Sequence, residues 1–139
     1  MSRSGYSDDI DNYWQIIRWR GAVASALRGR RGQAFLRELI AALDALPLSR
    51  LVANTLTASP ELDVIGASEY CALGAVGRRR AMDMTSIDPD DHESVAVAFD
   101  VAHAMACEIM WLNDEGSWRE TPEQRWSRIR AWAVAHLKE

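Results

Sequence analysis

Residues 33–47, QAFLRELIAALDALP, decide the fold. Phe35, Leu36, Leu39, Ile40, Leu43 and Leu46 recur at spacings of one, three and four. At about 3.6 residues per turn this gathers them on one helix face and leaves Arg37, Glu38 and Asp44 off it. A half-buried strand would alternate at every second residue, and this stretch does not. Pro47 ends the helix, because its ring and missing N–H do not fit a helix interior.

Upstream, Arg28-Gly29-Arg30-Arg31-Gly32 reads as a break between helices, with two glycines to reverse the chain. Before it, Ile10 to Arg28 carries apolar residues at helical spacing, with Asp8, Asp9 and Asp11 at the positive end of the dipole and Gly21 as a bend. Residues 1–9 are polar and read as a flexible N-terminus. Downstream, Leu51-Val52-Ala53 and Leu62-Asp63-Val64-Ile65 suggest a minor two-stranded element near 50–65, between turns at Ser59-Pro60 and Gly66. The apolar run Cys71 to Gly77 favours a helix over a strand, since Arg78-Arg79-Arg80 would suit its negative end.

Two start signals follow. Asp88-Pro89-Asp90-Asp91 offers an Asp cap, a Pro at the first helical position and acids in the first turn. The helix it opens should reach Trp111, with a break near Asp100. Thr121-Pro122-Glu123-Gln124 has the form of a capping box and opens a helix over 122–137. The expectation is an all-α fold, a single small helical domain over 10–139 with about five to six helices. Its core should hold Phe35, Leu36, Leu39, Ile40, Leu43, Leu73, Val76, Phe99, Ala102, Ile109, Trp126 and Ile129.

The net charge of −4 hides an asymmetry: residues 1–80 sum to +3 and residues 81–139 to −7. From Asn12 to Arg37 there is no acid and there are six arginines. No apolar run approaches the roughly 18 residues of a membrane span. The N-terminal residues also lack the apolar stretch of a secretory signal. A cytoplasmic protein, with no membrane contact, is expected.

The chemistry on offer is sparse. His103 and Cys107 stand four apart on one helix face, and Cys71 and Glu108 could join them around a metal. No second pair such as C-x-x-C accompanies them, so Cys71 and Cys107 read as buried, reduced thiols, and no metal or cofactor is expected. Asn113 to Glu120 does not make a calcium loop, since Trp118 and Arg119 occupy ligand positions. No nucleophile, Walker or dinucleotide motif is present, so the chain is not expected to be an enzyme. Trp and Arg anchor protein interfaces, and six tryptophans are many for 139 residues. The candidate partner-binding residues are Trp14, Trp19, Arg18, Arg20, Arg28, Arg30, Arg31, Arg78, Arg79 and Arg80. They suit a protein partner first. Nucleic acid is the alternative, through arginines on phosphates and tryptophans on bases. A homodimer through an apolar helix such as 122–137 is a further option.

Five segments carry a resemblance. They are Arg-Trp-Arg-Gly-Ala-Val (18–23), Arg-Gly-Gln-Ala-Phe-Leu-Arg-Glu-Leu (31–39), Cys-Ala-Leu-Gly-Ala-Val-Gly-Arg (71–78), Trp-Leu-Asn-Asp-Glu (111–115) and Glu-Thr-Pro-Glu-Gln-Arg-Trp (120–126). As a set, over residues 16–135, they resemble a group of small proteins of tailed phages and prophages. Residues 53–68 depart from that pattern. No catalytic residue carries over. The resemblance implies an accessory protein that binds a host or phage macromolecule, including inhibitors of host defence systems.

Overall fold

The computed structural model describes residues 13–58, 68–117 and 119–138. Among them are six helices: α1 (Tyr13–Arg28), α2 (Arg30–Asp44), α3 (Ala72–Arg79), α4 (His92–Phe99), α5 (His103–Asp114) and α6 (Pro122–Ala135). A short 3-10 turn, Met84–Ser86, lies between α3 and α4. The all-α expectation holds. Of the expected two-stranded element, the described residues contain one antiparallel bridge, Thr57 to Tyr70. Residues 1–12 and the segment 62–65 lie outside the described residues.

The apolar stripe of α2 makes it the central helix. Phe35, Leu36, Leu39, Ala42 and Leu43 are buried, and α1, α3 and α6 pack around it. The expected core is buried at Phe35, Leu36, Leu39, Leu43, Leu73, Val76, Phe99, Ile109 and Ile129, while Ile40, Ala102 and Trp126 are only partly covered.

Three local expectations are corrected. Gly21 does not break α1, because the helix is continuous to Arg28. The break before α2 is a single residue, Gly29, in an extended conformation open to any residue. Gly32 sits inside α2, where a Cβ would stand 1.8 Å from the Ala26 carbonyl oxygen, so its role is close helix approach rather than chain reversal. Third, α4 starts at His92 and not after Asp88. The Asp88 carboxylate accepts from the Asp90 N–H in a turn of its own. Asp91 is the cap, its carboxylate accepting from the backbone N–H groups of Glu93 and Ser94.

Two buried polar side chains tie the helices together. Asn113, 1 % exposed, accepts from the Ala72 N–H at 3.0 Å and donates to the Val52 carbonyl at 2.9 Å. It thereby joins α5, the start of α3 and the loop after α2. Gln33 donates to the Leu27 and His136 carbonyls and accepts from the Lys138 N–H. The last helix begins with the capping box expected at Thr121 and Gln124. It is fastened to α2 by Trp126, whose indole N–H donates to the Leu43 carbonyl, and by a bidentate Arg130–Asp44 pair.

The α4–α5 junction positions the candidate site. Asp100 adopts a left-handed conformation (φ 52°) after α4, and the chain bends by 111° between α4 and α5. The start of α4 is thus turned back toward the first turns of α5. Among the described residues no single helix is long and apolar enough to cross a membrane.

Candidate functional site

The inner side of α1 buries Val23 and Leu27. Its outer side is a stripe of Trp14, Ile17, Arg18, Gly21, Ser25 and Arg28 at spacings of three and four, all exposed. Trp14 is 65 % exposed, and Ile16 and Ile17 are 43 % and 42 % exposed. No acid occurs anywhere in α1, and a Cβ at Gly21 would meet nothing within 4 Å. The stripe is therefore apolar at one end, cationic along its length and bare at its middle.

The remaining arginines divide. Arg28, Arg30 and Arg79 are exposed. Arg78 is partly covered and donates to the Ala45 carbonyl at 3.4 Å. Arg20 reaches the buried carboxylate of Glu108 at 3.3 Å. Arg31 and Arg80, from the two basic clusters, converge on the end of α4. Arg31 pairs with Asp100, and Arg80 donates to the Phe99 carbonyl at 2.9 Å while forming a two-point pair with Glu38. Cations at a helix C-terminus complement its partial negative charge. The Arg80 hydrogen bond holds the Glu38 carboxyl below its ordinary range, against the opposing effect of burial. Arg20, Arg31, Arg78 and Arg80 are thus engaged inside the chain.

Trp19 is not on the outer stripe. It is half-buried on the other side of α1 and meets the His103 ring edge-on, with centroids 6.0 Å apart. His103 in turn belongs to a cluster of three. Its Nε2 lies 2.5 Å from His92 Nδ1 and 3.5 Å from Cys107 Sγ, and all three atoms fall within 4.8 Å of one another. His103 and Cys107 share a face of α5, as their spacing requires. His92 stands at the first position of α4 and arrives through the fold-back.

The electrostatics of the cluster oppose charge on both His103 and Cys107. Burial is the main effect that lowers the His103 pKa, with His92 assisting, so the ring stays neutral and keeps a lone pair. Burial, with the carboxylates of Glu108 and Glu93, pushes the Cys107 thiol up to about 12. A cysteine nucleophile needs the reverse, a thiol pulled down by a cationic neighbour.

The structure answers which of the sequence candidates meet. His103 and Cys107 do; Cys71 does not, because its sulfur caps α3, accepting from the Gly74 N–H at 3.3 Å. Both cysteines are free and buried. The sequence reading missed His92, eleven residues from His103. The only available signal was the break near Asp100, which allows the chain to double back. No family model, curated protein or solved structure matches the chain.

Proposed function

We propose that this protein works by docking onto an acidic, partly apolar surface of another protein through the outer stripe of α1. The observation that carries the reading is the acid-free stripe headed by Trp14 and Ile17 and flanked by Arg18 and Arg28. A large aromatic beside arginines is the composition of interface anchors. Gly21 leaves room for a partner backbone to approach. The resemblance to small phage proteins directs the search to host and phage proteins, host defence nucleases among them, and to a binding rather than a catalytic role.

Nucleic acid is the weaker reading. Arg20, Arg31 and Arg80 are occupied by Glu108, Asp100 and Glu38, which leaves fewer cations for phosphates. The overall charge of −4 also opposes a polyanion.

The test is capture from a bacterial host lysate, with and without nuclease, by the wild-type chain and by a Trp14→Ala/Ile17→Ser variant. The expected result is a specific protein that survives nuclease treatment and is lost with the variant. Capture of nucleic acid alone, lost on nuclease treatment and steeply salt-dependent, would replace this reading with the alternative. Capture unaffected by the variant would remove the stripe from the interface.

A further inference from the structure

We propose that His92 Nδ1, His103 Nε2 and Cys107 Sγ form a binding site for one divalent transition-metal ion of the zinc class. The site is separate from the outer stripe of α1 and does not depend on its role.

The argument begins with donor geometry. A tetrahedral zinc ion with Zn–N of about 2.0–2.1 Å and Zn–S of about 2.3 Å holds two nitrogens about 3.3 Å apart and nitrogen and sulfur about 3.6 Å apart. The observed His103–Cys107 separation of 3.5 Å already fits. The His92–His103 separation of 2.5 Å requires the two rings to part by about 0.8 Å to reach that tetrahedral spacing. His103 is exposed and His92 partly so, which gives them that freedom, while Cys107 is fixed in the core. One ligand is thus anchored and two adjust around it.

The choice of metal follows from the atoms. Two imidazole nitrogens and a thiolate suit zinc, cobalt or copper and do not suit magnesium or calcium, which take oxygen. On coordination the Cys107 proton passes to solvent and the thiolate takes its place beside the ion. Three protein ligands leave a fourth position. An open groove lined by Arg31, Glu93, Asp100 and His103 reaches the cluster at His103, so water completes the shell. Bound there, the ion would join the start of α4 to the first turns of α5.

The test uses the full chain, stripped with a chelator and titrated with Co(II). One equivalent should produce the thiolate-to-cobalt charge-transfer band and the strong visible bands of tetrahedral cobalt, and Zn(II) should displace it. Cys107→Ser should abolish the charge-transfer band. His92→Gln and His103→Gln should each weaken binding by at least about 10–100-fold, the loss that follows from removing even an outer-shell partner. Cys71→Ser and His136→Gln should bind as the wild type does. Circular dichroism checks that each variant is folded. His92→Gln, at an exposed helix start, keeps the test decisive if Cys107→Ser does not fold. Absence of the band in the wild type would overturn the proposal. So would a band lost in Cys71→Ser, or affinity unchanged in His92→Gln.

Discussion

Replacing Asn113 by alanine strands two groups at once. The Ala72 N–H, at the buried start of α3, loses its acceptor at 3.0 Å, and the Val52 carbonyl loses its donor at 2.9 Å. A buried polar group left unpaired costs about 1–3 kcal/mol. Ala72 is fully buried and bears the whole penalty, whereas Val52 is partly covered and is reached by water, so its share is smaller. The sum is about 2–4 kcal/mol, a large part of the stability of a domain this size. In urea the midpoint should fall with the slope unchanged, because the surface exposed on unfolding is nearly the same. In a thermal scan the midpoint should drop by about 8–16 °C, at about 4 °C per kcal/mol. A loss below about 1 kcal/mol would refute the reasoning, since it would mean that water satisfies both groups and the amide is not the tie it looks to be.

Other expectations follow from single contacts. Gly74→Ala would put a Cβ 1.9 Å from the Leu56 carbonyl oxygen and should destabilise despite alanine's better helix propensity. Gly21→Ala, in open space, should stabilise by about 0.5–1 kcal/mol, and urea midpoints of the two variants should move in opposite directions. Glu38→Gln should cost about 1–3 kcal/mol at neutral pH, since it removes a charge-assisted pair with Arg80 whose two side chains are 24 % and 28 % exposed. The native Glu38 carboxyl lies below its ordinary range, so its contribution is complete above about pH 4.3 and fades as pH falls through the lowered value. Wild type and variant should therefore converge in acid. Cys71 and Cys107 are both buried, so a thiol reagent at neutral pH should react with neither in the native chain and with both after unfolding.

The parts of the fold that the sequence reveals are those written in local chemistry. The stripe on α2 and the Thr121–Gln124 box each need only a few neighbouring residues to recognise. The start of α4 is offset by three residues because Asp88 and Asp91 are equally good caps, and the turn closed by the Asp88 carboxylate decides between them. Gly32 reads as a point of chain reversal from sequence, yet it lies inside α2 where the Ala26 backbone presses close, and nothing in its flanking residues distinguishes the two roles. The candidate site divides in the same way. The His103–Cys107 pair follows from helical spacing, whereas His92 joins it through the left-handed Asp100 and the fold-back. Arg31 and Arg80 look like free cations in the sequence because their acids, Asp100 and Glu38, lie far along the chain.

The fastening of α6 has a consequence for how the chain is made. Its ties to α2 join residues 83 and 86 positions apart, and Gln33 holds His136 and Lys138 across 103 and 105. During synthesis α1 and α2 leave the ribosome well before α6, which covers one side of α2. The nascent chain therefore carries an apolar stripe with no lid until the residues around Lys138 emerge, the interval in which aggregation or chaperone capture competes with folding. A ribosome stalled before Pro122 should release a species that chaperones hold, and residues 122–138 convert it to the native domain.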